Sequence, residues 1–261
     1  MMNQTPNETR FVFFGTTPLK EGVLAELAKA GFLPALAIEG PITAELVDEL
    51  DKTAWDVFIV ASYGHKIPSR LLGMPRRGVV NVHPSLLPRL RGASPIRSAI
   101  LNDEKETGVS IIRLDDMLDH GPLIAQKKVS VSPWPPRGRA LDQLLAREGG
   151  ALLATVLPPW LRAKIEARPQ NDDLATYCRS FKKEDGRISL SDDPHRNFLK
   201  IRAFEGWPGT YSFFERAGKK LRVQILDAHL QDGKLMIDAV KPEGKREMPY
   251  QDFLRSGAKP V

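Results

Sequence analysis

The chain has 261 residues, 42% of them apolar, enough for one large hydrophobic core or two smaller ones. Its 38 basic against 32 acidic residues give a net charge of +6, which favours polyanionic partners without naming one. The single cysteine, Cys178, excludes an intrachain disulfide and a thiolate zinc cluster, and no apolar run approaches the roughly 20 residues of a membrane helix.

Residues 1–7 are polar and lack the basic-then-apolar pattern of a leader, so a cytoplasmic protein without a signal peptide is expected. Arg10 to Gly15 then reads as a strand. Leu19, Val23, Leu24 and Leu27 follow at helical spacing until Gly31 supplies a stop. Leu33 to Ile38 reads as a second strand, Ala44 to Lys52 as a helix, Val57 to Ala61 as a third strand and Gly78 to Val82 as a fourth. This alternation predicts an α/β domain with a mostly parallel, Rossmann-like sheet.

Such sheets bind ligands beyond the carboxyl ends of their strands, where Gly15, Tyr63-Gly64 and His83 would lie. The fourth strand must stop at His83, because Pro84 cannot donate to a ladder; Pro88 and the intervening leucines stiffen the loop that follows. Asn81 and His83, two residues apart on one strand, project to the same side.

Thr107 to Leu114 and Gly121 to Val131 read as strands flanking an Asp115–Gly121 turn. A long helix runs from Leu141 to Val156 and breaks at Leu157-Pro158-Pro159, with Gly149-Gly150 weakening its middle. Polar residues after Arg168 read as a linker. Beyond it, Asp193-Pro194 caps a helix reaching Phe204. Tyr211 to Phe214, Leu221 to Ala228 and Lys234 to Ala239 read as strands joined by turns at Ala217-Gly218 and Asp232-Gly233, and a small β-barrel is expected. The domain division is therefore 1–168, a linker at 169–180, and 181–261.

No G-x-G-x-x-G, no G-x-x-x-x-G-K-[ST] and no H-E-x-x-H occurs, which argues against dinucleotide, phosphate-loop and zinc-protease readings. The pattern Asn-x-His-Pro-Ser-Leu-Leu-Pro-x-x-Arg-Gly-x-x-Pro-Ile from Asn81 to Ile96, with Leu-Asp-x-Gly at 118–121, closely resembles the 10-formyltetrahydrofolate-dependent formyltransferases. Carried over residue by residue, the resemblance makes Asn81, His83 and Asp119 the catalytic set. It implies folate contacts from Tyr63, Gly64, His65, Lys66, Ile67, Ser85, Leu86, Asp116 and Leu118, and substrate contacts from Gly15, Thr16, Arg91 and Gly92. His65 and Lys66 depart from the commoner apolar choices, and His65 reads equally as a surface loop residue. Arg91 either orients the loop, meets an anionic substrate or forms a structural ion pair. His120 is expected to face solvent. No metal is implied.

Formyl transfer is acyl transfer, so a developing oxyanion needs donors such as the Asn81 amide and protonated His83. His83 is also the motif residue that titrates near neutrality, and a nearby Asp119 carboxylate would favour its charged form and fix its orientation.

Ile201-Arg202-Ala203-Phe204, Trp207-Pro208-Gly209 and Lys241 to Met248 look most like the methionyl-tRNA formyltransferase branch, whose second domain is an OB-like barrel. The implied partners are the initiator methionyl-tRNA and folate, with no membrane and a monomeric state. Two departures stand out. Ile38 to Ile42 runs almost at once into a helix where typical members carry a basic, glycine-bearing loop, and the barrel is abbreviated. Two alternatives are an enzyme formylating a small amine, such as a nucleotide-linked amino sugar, and an inactive RNA-binding relative.

Overall fold

The computed structural model describes residues 8–261; residues 1–7, on which the leader reading rests, lie outside them. The chain divides into two compact units. The first runs to Pro95 and adds Glu106–Ser130 and Asp142–Arg179, and the second comprises Ile96–Lys105, Val131–Leu141 and Ser180–Val261.

In the first unit β1 (Phe11–Gly15) leads through α1 (Lys20–Lys29) to β2 (Leu36–Ile38), and α2 (Ala44–Asp51) leads to β3 (Val57–Ala61). α3 (Ser69–Leu72) precedes β4 (Val79–His83), and the short β5 (Arg91–Gly92) precedes α4 (Pro95–Leu101), which crosses the unit boundary. β6 (Thr107–Arg113) and β7 (Leu123–Val129) follow, then α5 (Gly138–Leu161) and β8 (Tyr177–Cys178). The main sheet has the order β2-β1-β3-β4-β6-β7, parallel from β2 to β4 and antiparallel from β4 to β7. β1, β3 and β4 are buried along their whole length; β1 and β3 are the continuous apolar runs that a sheet covered on both faces requires, and β4 carries Asn81 and His83 as buried polar exceptions. The order reverses between β1 and β3, which opens a crevice at their carboxyl ends.

Two sequence expectations are corrected here. The second strand is limited to Leu36–Ile38, and Leu33 is 65% exposed. α5 does not break at Pro158 but continues through both prolines to Leu161. The prolines free carbonyls of Ala154 and Thr155, which are not fully buried, so water can serve them. Leu157, Trp160 and Leu161 meanwhile enter the core, and the Trp160 indole donates to the Arg77 carbonyl at 3.2 Å. Burial thus overrides local propensity.

The glycine pair that weakened the helix prediction has a packing reason. A Cβ on Gly149 would stand 2.6 Å from Val82 Cγ1, and one on Gly150 would stand 2.9 Å from the Val23 Cα. α5 therefore lies directly on β4 and α1. The shortened connection after β2 is held by the Tyr63 hydroxyl, which donates to the Gly40 carbonyl, and by the Lys20–Glu39 ion pair.

The second unit holds α6 (Pro194–Ala203), capped by Asp193 accepting from the Arg196 amide at 2.7 Å, with proline at the first turn. β9 (Thr210–Arg216), β10 (Lys219–Gln231) and β11 (Lys234–Pro242) form a meander. Its turns use Ala217-Gly218 and Asp232-Gly233, all four at positive φ, as tight hairpins of this hand require. β12 (Met248–Pro249), α7 (Tyr250–Arg255) and β13 (Lys259–Pro260) complete an antiparallel sheet of order β12-β11-β10-β9-β13. β10 is longer than expected because a bulge near Asp227 lets it bend and keep pairing. Phe214, Val223, Ile225, Val240, Phe253 and Ile201 form the core of this unit.

Candidate active site

β4 presents Asn81 and His83 on one side, 9% and 4% exposed. The loop between β6 and β7 brings Asp119 to them. Asp119 Oδ1 stands 3.5 Å from Asn81 Nδ2 and 3.6 Å from His83 Nδ1, at or beyond the outer limit of a direct hydrogen bond. Its other oxygen accepts from the Gly92 backbone N–H at 2.8 Å. The carboxylate is thus anchored by one oxygen and faces both β4 side chains with the other.

His83 Nε2 lies 3.0 Å from the Leu90 carbonyl oxygen. A carbonyl only accepts, so Nε2 carries the hydrogen and Nδ1, the nitrogen toward Asp119, is the one free to exchange a proton. The ring is therefore oriented before any substrate arrives.

The proline loop after β4 is fixed on several sides. Ser85 Oγ donates to the Arg89 carbonyl at 2.6 Å, and Ser110 Oγ donates to the Ser85 carbonyl at 2.7 Å. Leu86 packs over Gly108, so the Ser85 hydroxyl and the Leu86 side chain both have internal partners. Gly15 allows close approach to β3, since a Cβ there would lie 2.4 Å from the Ala61 carbonyl; Thr16 bonds the Ser62 carbonyl through both its amide and its hydroxyl.

Around the crevice, Tyr63 packs edge-on against Phe14 and His65. Gly64, His65 and Lys66 are exposed, with open space at Gly64, while Ile67 packs on the core. Asp116 accepts from Ser69 Oγ at 2.7 Å, and Leu118 is 63% exposed beside Asp119. Among the described residues, no three His, Cys, Asp or Glu side chains gather as a metal site.

Arg91, considered for an anionic substrate, is 2% exposed. Its guanidinium holds Gln170 Oε1 at 2.8 Å and Asp172 Oδ1 at 2.7 Å. Gln170 Nε2 then donates to the Asp119 and Gly121 carbonyls, each at 2.8 Å. Residues 169–180, read as a linker, thus lie along the site: β8 pairs with β5, and Thr176 Oγ1 accepts from the Leu90 amide at 2.9 Å. Gln170, Asp172 and Thr176 were missed by sequence reasoning because a polar stretch carries no periodic signal.

A family profile described as formyl transferase matches residues 27–157, half of the chain. The chain belongs to the formyl transferase family. The methionyl-tRNA formyltransferase of Chloroflexus aurantiacus is 40% identical over 196 residues, 75% of this chain and 62% of its own length. That of Myxococcus xanthus is 34% identical over 250 residues, 88% of this chain and 79% of its own length. The chain thus spans less than two thirds of the length of the Chloroflexus relative. In fold, it resembles the methionyl-tRNA formyltransferase from Clostridium thermocellum, with a TM-score of 0.66, 19% identity and coverage of 90% and 98% of the two chains. It also resembles a variant of HypX from Aquifex aeolicus, with a TM-score of 0.74, 18% identity and coverage of 97% and 49%. No described helix is long and apolar enough to cross a membrane.

Proposed function

We propose that this chain transfers a formyl group from 10-formyltetrahydrofolate to the amino group of initiator methionyl-tRNA, acting in the cytoplasm as a monomer. The observation that carries the reading is the Asn81–His83–Asp119 arrangement, with Asp119 anchored by Gly92 and turned toward both partners. The named relatives supply the acceptor.

The folate supplies an activated formyl group and a nitrogen leaving group. Asn81 Nδ2 donates to the oxygen that gains charge as the amine attacks, a contribution whose loss typically costs about 100-fold to 1,000-fold. His83 takes the amine proton on Nδ1 and delivers it to the departing nitrogen, while Nε2–H stays on Leu90. Asp119 steadies the transient imidazolium. The exposed 64–66 segment suits a ligand held by backbone groups, and Ile67 gives it an apolar floor; Ser85, Leu86, Asp116 and Leu118 are assigned as further folate contacts on the family resemblance.

We assign 181–261 to tRNA binding and read its antiparallel sheet as an abbreviated OB-like barrel. Exposed Lys241, Lys245 and Arg246 offer phosphate contacts, which suits a polyanionic acceptor.

The test offers 10-formyltetrahydrofolate with charged initiator tRNA, charged elongator tRNA and amino sugars. Formylated initiator methionyl-tRNA is expected from the wild type, with turnover cut by orders of magnitude in His83→Ala and Asp119→Ala. A folded, folate-binding protein that formylates only the sugars, or nothing, would sink the reading.

A further inference from the structure

Beside Asp119 lies a charged cluster that the formyl-transfer chemistry leaves unused. His120, expected to face solvent, is only 31% exposed, with Nδ1 2.7 Å from Asp115 Oδ2 and Nε2 3.3 Å from Asp172 Oδ2. The second oxygen of Asp172 accepts from Arg91, which holds Gln170, which holds the carbonyls of Asp119 and Gly121. Asp115 also closes its own end of the loop, since its Oδ1 accepts from the Met117 amide at 3.0 Å. The charged groups facing His120 are Asp115 from the same loop and Asp172 from the 172–174 turn, with Arg91 of β5 behind Asp172.

A neutral imidazole has one N–H and one lone pair. Placed between two carboxylates, it can donate to one and must turn its lone pair on the other. Only the imidazolium donates to both.

We propose that charged His120 clasps Asp115 to Asp172, thereby positions Asp119, and makes formyl transfer fall as the ring loses its proton. The proposal rests on the formyltransferase reading. His120 touches no reacting atom in this scheme and is a positioning residue. The hydrogen bond with Asp115 raises the His120 pKa above the usual histidine value against the opposing effect of burial, and the charge of Asp172 raises it further. A raised value means that the charged form is complete at low pH and is lost as pH rises through it. The clasp is thus closed on the acid side and opens on the alkaline side.

Asp172→Asn is the discriminating variant. Its amide oxygen can keep Arg91, and its N–H can donate to Nε2 of a neutral His120 whose Nδ1–H still serves Asp115. This variant should hold its kcat to higher pH than the wild type. His120→Gln should lower kcat by roughly 10-fold to 100-fold, with little change in KM for the formyl donor.

NMR titration supplies a readout independent of turnover. In the wild type the Gly92 amide, which reports the position of Asp119, should shift with the same midpoint as the His120 ring; in Asp172→Asn it should not. A Gly92 resonance that ignores the His120 titration, or an alkaline limb identical in wild type and Asp172→Asn, would overturn the clasp. Absence of formyl transfer in every assay would instead remove the formyltransferase reading, with the NMR result still deciding whether the clasp exists.

Discussion

The Gly92 amide donates to Asp119 Oδ2 at 2.8 Å, and Gly92 itself sits at φ +124 with the Cys178 carbonyl only 2.0 Å from where a Cβ would be. Both facts restrict this position to glycine: the backbone lies in a region that other residues avoid, and β8 occupies the side-chain space.

Gly92→Ala should therefore destabilise the first unit by about 1–3 kcal/mol and displace the donor to Asp119. Chemical denaturation reads the first effect and kcat the second. Unchanged turnover would show that Asp119 does not depend on this anchor.

Gln170 is expected to matter out of proportion to its place in a polar stretch. Gln170→Ala removes the amide that donates to the Asp119 and Gly121 carbonyls, so kcat should fall roughly 10-fold with folate binding retained. Gln170→Glu should be worse, because a carboxylate would face those carbonyl oxygens. Single-turnover kinetics with a folate-binding measurement separate the two effects.

Gly149→Ala sets two effects of opposite sign against each other. Alanine favours a helix over glycine by about 1 kcal/mol, whereas overpacking a core typically costs about 1–3 kcal/mol. With a Cβ only 2.6 Å from Val82 Cγ1, crowding should win. The variant should unfold at lower denaturant concentration and, because Val82 lies between Asn81 and His83, should also lose turnover.

If exposed Lys241, Lys245 and Arg246 meet phosphates, KM for charged tRNA should rise steeply with salt while KM for the formyl donor changes little. Replacing Lys245 and Arg246 by alanine should flatten that dependence. Equal salt sensitivity in both substrates would argue against this surface.

The strands and the pattern that brings Asn81, His83 and Asp119 together were legible because each carries a local signal. β1 and β3 are unbroken apolar runs, β4 is apolar but for Asn81 and His83, Pro84 marks where β4 must end, and Asp193-Pro194 announces α6. What escaped notice depends on partners distant in sequence. α5 continues through Pro158 and Pro159 because Leu157 and Trp160 are buried, a fact that no local rule contains. β12 and β13 have two residues each, too few for any period to show. Arg91 left its alternatives open until Gln170 and Asp172, far along the chain, were seen to occupy its guanidinium.

The attachment of residues 168–178 along the site changes what a minimal enzyme would be. A fragment ending at Arg168 would contain Asn81, His83 and Asp119, yet lack the Gln170 amide, the Asp172 carboxylate and the Thr176 hydroxyl that fix Arg91, Leu90 and the Asp119 loop. It would keep the three side chains with their Leu90 and Gly92 contacts and lose the outer supports of the loops that carry them. Truncation studies that cut where the composition changes would therefore mistake a loosened site for a missing residue, whereas a boundary beyond Cys178 keeps β8 paired with β5 and the scaffold whole.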